Sequence, residues 1–224
     1  TQPAEADRAE LHAAIKTFMA KEPGTFEAHA AARDFPGIVE GKERVARTVA
    51  YDSNLVHRWD TTNGGAPNLY TSPDVWQETG LYAAPGEVVI VKVASLPEHR
   101  TVKVIVGCHR DSLLKLPKWH RFPVIARTFD LKVGENKIAN AFGGQLFIQS
   151  SHKDWRKPRK ASPSTPLQFS NAVAMPTYVL GKDTPESWAK AKQLPAPWVT
   201  LAGKQVILHV QASAVKELAD PKAL

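Results

Sequence analysis

Six short runs rich in β-branched residues set the frame for this chain: 45–51, 88–94, 102–107, 124–131, 145–149 and 206–210. Each is too short for an amphipathic helix, most alternate, and Gly, Pro or Asn lies between them. In the third run Val102, Val104 and Val106 fall on one face, while Lys103 on the other points to solvent. Many short strands joined by turn-rich links predict a mainly β protein, an antiparallel, jelly-roll-like β-sandwich rather than a parallel βαβ sheet. No G-x-G-x-x-G and no phosphate-binding loop is present.

Helical signals are confined to the flanks. Leu11, Ile15, Phe18 and Met19 form one apolar stripe that ends before Pro23-Gly24. Its His12 lies off the stripe and reads as solvated. A second short helix is expected from Thr25, as N-cap, to Arg33. Thr184-Pro185-Glu186-Ser187 signals a helix start with Pro at the first position, and Ser213 starts another that ends at Asp220-Pro221. The expected organisation is a helical segment over 1–44, then a sandwich domain over 45–224 with two or three short peripheral helices.

The 224 residues carry a net charge of +7, and 43% are apolar, in the range of folded globular proteins. No apolar run is long enough to span a membrane. The charge is uneven: residues 100–160 hold 14 Lys and Arg against 4 Asp and Glu, densest at Lys153, Arg156, Lys157, Arg159 and Lys160. Such a run is either a solvated loop or a patch for an acidic partner. No helix-turn-helix, RNA-binding aromatic signature or zinc-finger spacing accompanies it, so nucleic acid is not expected as a partner.

Candidate chemistry is sparse. H-E-x-x-H and G-x-S-x-G are both absent. His109-Arg110-Asp111 and His152-Lys153-Asp154 each offer two metal ligands without a third at suitable spacing. Cys108 precedes His109, and strand alternation predicts that the two side chains diverge, leaving Cys108 as a buried structural thiol. Six Trp occur, at 59, 76, 119, 155, 188 and 198; at least four are expected in the core or at corners, with Trp119 and Trp155 near the surface. The lack of an initiating Met makes the chain read as a cut piece of something longer.

From Trp76 onward an ordered set of motifs appears. Thr79-Gly80-Leu81-Tyr82-Ala83-Ala84-Pro85-Gly86-Glu87 resembles the "TGLYAPPGE" segment of the enhancin-like zinc metallopeptidases, metallopeptidase family sixty. Gly107-Cys108-His109-Arg110-Asp111 is similar to their "G-x-H-x-D", and Trp119-His120-Arg121-Phe122-Pro123 to "W-x-R-x-P". Phe142-Gly143-Gly144-Gln145-Leu146-Phe147-Ile148 resembles "F-G-G-x-I-Y-I". Gly181-Lys182 with Trp188, then Pro195-Ala196-Pro197-Trp198, resembles "G-K-T-x-x-x-W" and "P-A-P-W". Three positions depart from the pattern: Gln145, Phe147, and Thr200, where an acid is expected.

The resemblance spans about residues 45–221 and implies the sandwich part of a secreted, cell-surface or periplasmic bacterial peptidase acting on mucin-type O-glycoproteins. In that family H-E-x-x-H lies downstream, so the resemblance places no catalytic residue, metal ligand or cofactor on this chain; zinc is expected in the parent's catalytic domain. The implied partners are that downstream domain and mucin or other O-glycosylated proteins. Trp119, Arg121, Gly143, Gly144 and Trp155 are the candidate substrate or interdomain contacts. An autonomous carbohydrate- or mucin-binding module is the alternative, with exposed Trp stacking on sugar rings and the basic loop taking anionic glycans.

Overall fold

The computed structural model describes residues 5–53, 57–61, 68–72, 76–153, 163–203 and 206–223. One layer of the sandwich is built from β1 (Val45–Val49), β5 (Val89–Val93), β8 (Gly134–Ile138) and β10 (Leu167–Ala174), in the order β1-β10-β5-β8. The other holds β4 (Trp76–Ala83), β6 (Arg100–Val106), β7 (Arg127–Asp130) and β9 (Gly144–His152), in the order β4-β9-β6-β7. Every pairing in both layers is antiparallel. A backbone-paired hairpin, β2 (His57–Thr61) and β3 (Asn68–Ser72), stands apart from these layers.

Between the layers lies a core of Val89, Val91, Val102, Val104, Val106, Leu146, Ile148, Leu167 and Phe169, all nearly inaccessible. Alternation explains it: the Val102, Val104 and Val106 face goes in and Lys103 stays partly exposed, pairing with Asp130 at 3.1 Å. The layers are joined by β10 itself. Its first part pairs with β1 and β5, and its last residues, Val173 and Ala174, pair with Tyr82 and Leu81 of β4. Asn171 makes the turn in a left-handed conformation (φ 60°), with its side-chain amide donating to the Val88 carbonyl at 2.7 Å.

A second, three-stranded sheet follows: β11 (Thr177–Val179), β12 (Trp198–Ala202) and β13 (Ile207–Gln211), with β11 parallel and β13 antiparallel to β12. Helix α2 (Pro185–Ala191) starts in the predicted way. Thr184 caps it within a capping box closed by Ser187. Its fully buried Trp188 packs with Tyr178, Val199, Leu201 and Val215 on one face of the small sheet.

The N-terminal helix α1 (Glu5–Met19) forms as its stripe predicts. Phe18 and Met19 pack with Phe26, Ala32, Ile125 and Phe142 against the sandwich. The second helix differs from expectation: it is a single 3-10 turn, Ala30–Arg33, capped by the His29 ring rather than by Thr25, whose hydroxyl donates back to Glu22. The helix expected from Ser213 is likewise two 3-10 turns, Ala212–Val215 and Pro221–Ala223, and Pro221 opens the second instead of ending a helix. Among the described residues no helix is long and apolar enough to cross a membrane.

Candidate functional site

The polar side chains that come together lie in the seam between the outer face of β4–β9 and the small sheet. Strand alternation gives β9 two buried faces. Leu146 and Ile148 enter the sandwich core, so Gln145 and Phe147 point outward, where each is only 2% exposed. On β4 the register with β9 slips between Glu78 and Tyr82, a bulge centred on Gly80 (φ 65°). Thr79 secures it by donating its hydroxyl to the Leu146 carbonyl at 2.7 Å. Glu78 pairs across from Phe147 before the slip and so shares the outer face.

The small sheet supplies the other half. Thr200 of β12 and His209 of β13 are directly paired, and both turn toward the sandwich. His209 Nε2 is 3.1 Å from Glu78 Oε1, a contact close enough for an ion pair but bent away from a well-formed hydrogen bond. The other ring nitrogen, Nδ1, is 3.2 Å from Gln145 Nε2 and 3.3 Å from Thr200 Oγ1. Phe147 meets the same ring edge-on at 5.3 Å. Burial pushes the Glu78 carboxyl up to about 7, opposed by the Thr200 hydroxyl, and burial together with nearby His109 pushes His209 down. The three positions that depart from the family pattern, Gln145, Phe147 and Thr200, thus converge on one imidazole.

Beyond this lies Cys108, and here the sequence expectation is corrected. Strand β6 ends at Val106, and Gly107 (φ 98°) turns the chain, so strand alternation no longer applies. Cys108 Sγ sits 3.2 Å from His109 Nδ1. The thiol is half-buried, and desolvation raises it to about 11, with Glu78 and Asp111 adding to the shift. Burial, then Arg121, lowers His109. A neutral thiol beside a neutral imidazole is a packing contact and not an activated nucleophile. The His109 ring packs edge-on against Phe35 at 4.8 Å and Trp198 at 5.2 Å. A cavity of about 10 Å³, bounded by Tyr82, Cys108, His109, Gln145 and Trp198, has room for about one water.

The four described candidate contacts, Trp119, Arg121, Gly143 and Gly144, occupy different surroundings. Gly143 and Gly144 are buried in the turn into β9, where a Cβ on Gly144 would lie 2.5 Å from the Gly107 nitrogen. Arg121 donates to Asp111 at 2.6 Å and to its neighbour's carbonyl, Phe122 O, at 2.9 Å. Trp119 is half-buried and lines a 270 Å³ groove with Leu11, His12, Leu114, Leu116 and Pro117. His12 is therefore not solvated as expected: its ring lies nearly parallel to Trp119, 25° off and 6.2 Å away. Trp155, like residues 154–160 of the basic loop, lies outside the described residues.

Among the described residues no three His, Cys, Asp or Glu side chains form a group that could hold a metal ion. The donor set does not fit zinc, and no zinc-dependent step is assigned to these residues. Glu78 and His209 were not singled out from the sequence. Their pairing becomes visible only when Thr200 and His209 are recognised as facing partners in one hairpin.

Residues 44–162 match the family model described as the N-terminal domain of M60-like peptidases, and residues 171–224 match peptidase M60, enhancin and enhancin-like. The seam therefore joins the two matched stretches: Glu78 and Gln145 lie in the first, Thr200 and His209 in the second. The chain is 30% identical over 152 residues to a TRPM8 channel-associated factor homolog of Xenopus laevis, covering 67% of this chain and 16% of the relative. It is 33% identical over 150 residues to TRPM8 channel-associated factor 3 of Mus musculus, covering 66% and 16%. The chain thus spans about one sixth of the length of these curated relatives. Among solved structures, the IMPa metallopeptidase from Pseudomonas aeruginosa shares the fold with a TM-score of 0.53 and 15% identity, over 91% of this chain and 21% of that one. A conserved protein of unknown function from Bacillus anthracis str. Ames aligns with a TM-score of 0.50 and 21% identity, over 81% and 33%. Sequence motifs, family match and fold agree, and the chain belongs to the M60-like, enhancin-like peptidase family, carrying its N-terminal β-sandwich domain.

Proposed function

We propose that this chain is a non-catalytic β-sandwich module of a secreted zinc metallopeptidase acting on mucin-type O-glycoproteins, and that it buttresses the catalytic domain downstream. The observation that carries this reading is the seam. A small sheet within the peptidase-matched stretch is seated, through buried side chains, on the sandwich matched as the N-terminal domain. The sequence contains no H-E-x-x-H, so the zinc and the general base would belong to the downstream domain. In this reading residues 1–44 form a helical segment that braces the 45–224 domain, and the whole protein sits outside the cytoplasm or in the periplasm.

The test compares this chain with a longer form extended by the downstream domain. The longer form is expected to bind zinc and cleave O-glycosylated peptides, and the 224-residue chain to do neither. Stoichiometric zinc or glycopeptide cleavage by the isolated chain would overturn the proposal.

The groove at Trp119 favours a second reading, a carbohydrate-binding role. His12 and Trp119 stack within it, and Arg8 also lines the groove. Of the described candidate contacts Trp119, Arg121, Gly143 and Gly144, Trp119 lines this groove of sugar size, and Gly143 and Gly144 would contribute through the shape of their turn; Trp155 of the basic loop would add a second stacking ring. Binding on a mucin-glycan array that is lost with Trp119→Ala supports this reading, and binding that survives both Trp119→Ala and Trp155→Ala removes it.

A further inference from the structure

We propose that the outer edge of β13 is the joint by which this module continues into the peptidase: a strand of the downstream domain pairs with it and extends the three-stranded sheet. The inference rests on the downstream catalytic domain proposed above and names the surface which that domain grips. The backbone fixes which groups are on offer. The Gly203 amide donates to the Val206 carbonyl at 2.8 Å, and the Ala212 amide donates to the Pro197 carbonyl at 2.9 Å. Both ends of the β12–β13 ladder therefore turn the even-numbered residues of β13 toward β12, and the register between them is unbroken from Ile207 to Gln211. The N–H and C=O groups of Ile207, His209 and Gln211 point the other way. Among the described residues β13 is the last strand on that side of its sheet.

The two edges of this sheet are treated differently. On β11 the Pro176 carbonyl accepts from Thr200 and the Leu180 amide donates to Ala202, both on β12, so Val179 faces outward. Its amide donates to the Asp183 carboxylate at 2.7 Å, and its carbonyl accepts from the Asp183 and Lys182 amides at 2.9 and 3.0 Å. A side chain and a turn of this chain thus close that edge at Val179. The β13 edge has no such device: Ile207–Gln211 contains no Pro, no Lys and no bulge. Instead Val206, Ile207 and Leu208 stand 58%, 50% and 46% exposed, one after another, so both faces of the edge are apolar. Leu208 continues the face on which Val210 packs with Tyr178 and Trp188, and Ile207 the face from which His209 reaches Glu78.

An incoming strand therefore carries apolar side chains on both faces, the pattern of a strand inside a larger sheet. A free peptide or a second copy of this chain is a poorer occupant. Three outward-facing residues and three apolar side chains fall far short of the roughly 1,200 Å² that a stable separate partner buries. A strand of the same polypeptide pairs without that association cost. The small sheet lies wholly within residues 171–224, the stretch matched to peptidase M60, so a strand added to it belongs with the peptidase part.

Residue-resolved hydrogen exchange at the amides of Ile207, His209 and Gln211 tests this, in the 224-residue chain and in the form extended by the downstream domain. In the short chain these three are expected to exchange near the intrinsic rate, while the inward-facing Leu208 and Val210 are protected. In the longer form protection of the three should rise by roughly a hundredfold or more. Ile207→Pro removes only an outward N–H, so the short variant should keep its β12–β13 ladder and the longer variant should lose protection at His209 and Gln211. If that variant does not fold, the two unaltered chains decide. Amides that stay unprotected in a longer form that binds zinc and cleaves glycopeptides overturn the joint and leave the peptidase reading intact. Protection in a longer form that binds no zinc supports the joint and removes that reading. Protection already present in the short chain, and rising with its concentration, overturns the joint in favour of pairing between copies.

Discussion

At Gly144 the space a side chain would need is already occupied by backbone. A Cβ there would meet the Gly107 nitrogen at 2.5 Å and its Cα at 2.6 Å, neither of which is a flexible atom that can move aside. The residue also sits at φ 143°, which L side chains rarely adopt. Gly144→Ala is expected to cost about 2–4 kcal/mol, read as a shift in denaturant midpoint at unchanged slope. An unshifted midpoint would mean that β6 and β9 do not approach this closely. Cys108 offers a chemical test at the same scale. With its thiol raised to about 11, the thiolate fraction at pH 8 is roughly a hundredfold below that of an ordinary cysteine, so alkylation should be slow and still accelerating at pH 10. A rate that is half-maximal near pH 8.5–9 and level by pH 10 would show a normal thiol.

At the scale of elements, the start of α2 is a local device that a single change removes. Thr184 accepts from the Ser187 amide at 3.3 Å, and Ser187 Oγ accepts from the Thr184 amide at 3.0 Å. Thr184→Ala should cost about 1 kcal/mol, or roughly 2–4 °C in Tm for a chain of this size. Loss of Trp188 burial need not follow. The corner in β10 is stricter: Asn171→Gly should be tolerated and Asn171→Val should not, because β-branched residues avoid φ 60°.

The same elements show what could be read from the chain. Runs with a clean period of two, such as 102–106, fold as strands with the expected face inward. Strands β8, β10 and β12 are polar, bent or buried on both faces, and they lack that period; β12 runs Trp198-Val199-Thr200-Leu201 with every residue buried. Sequence neighbours indicated that Cys108 and His109 diverge, because the end of β6 one residue earlier leaves only Gly107 as its signal. The seam was half legible. Gln145, Phe147 and Thr200 stood out as departures from a pattern, but the histidine they surround is identified only by the pairing of β12 with β13.

At the scale of the whole molecule, residues 20–44 bridge the sandwich and the small sheet. His29 donates its amide to Ala141 O at 2.8 Å, Arg127 donates to Lys21 O at 2.9 Å, and Arg44 pairs with Glu87. Phe35 and Val39 pack on Tyr82, Val173, Met175 and Trp198. Deleting residues 1–40 is therefore expected to uncover Phe142, Ile125 and Trp198 together, with a loss of cooperative thermal unfolding and a gain in dye binding to exposed apolar surface. A truncated chain with unchanged Tm would show that this segment is an ornament.

One bond in that brace has a consequence in time. The indole of Trp198 donates to the Pro36 carbonyl at 2.7 Å across a sequence gap of 162 residues. On the ribosome, where about 5–20 residues are added each second, Pro36 is synthesised about 8–32 s before Trp198. The segment around Pro36 thus leaves the exit tunnel well before the strand it packs against. Until the small sheet arrives, the aromatic surface around Phe35 lacks its Trp198 partner, and a chaperone that grips this segment of the nascent chain would be released by the synthesis of β12.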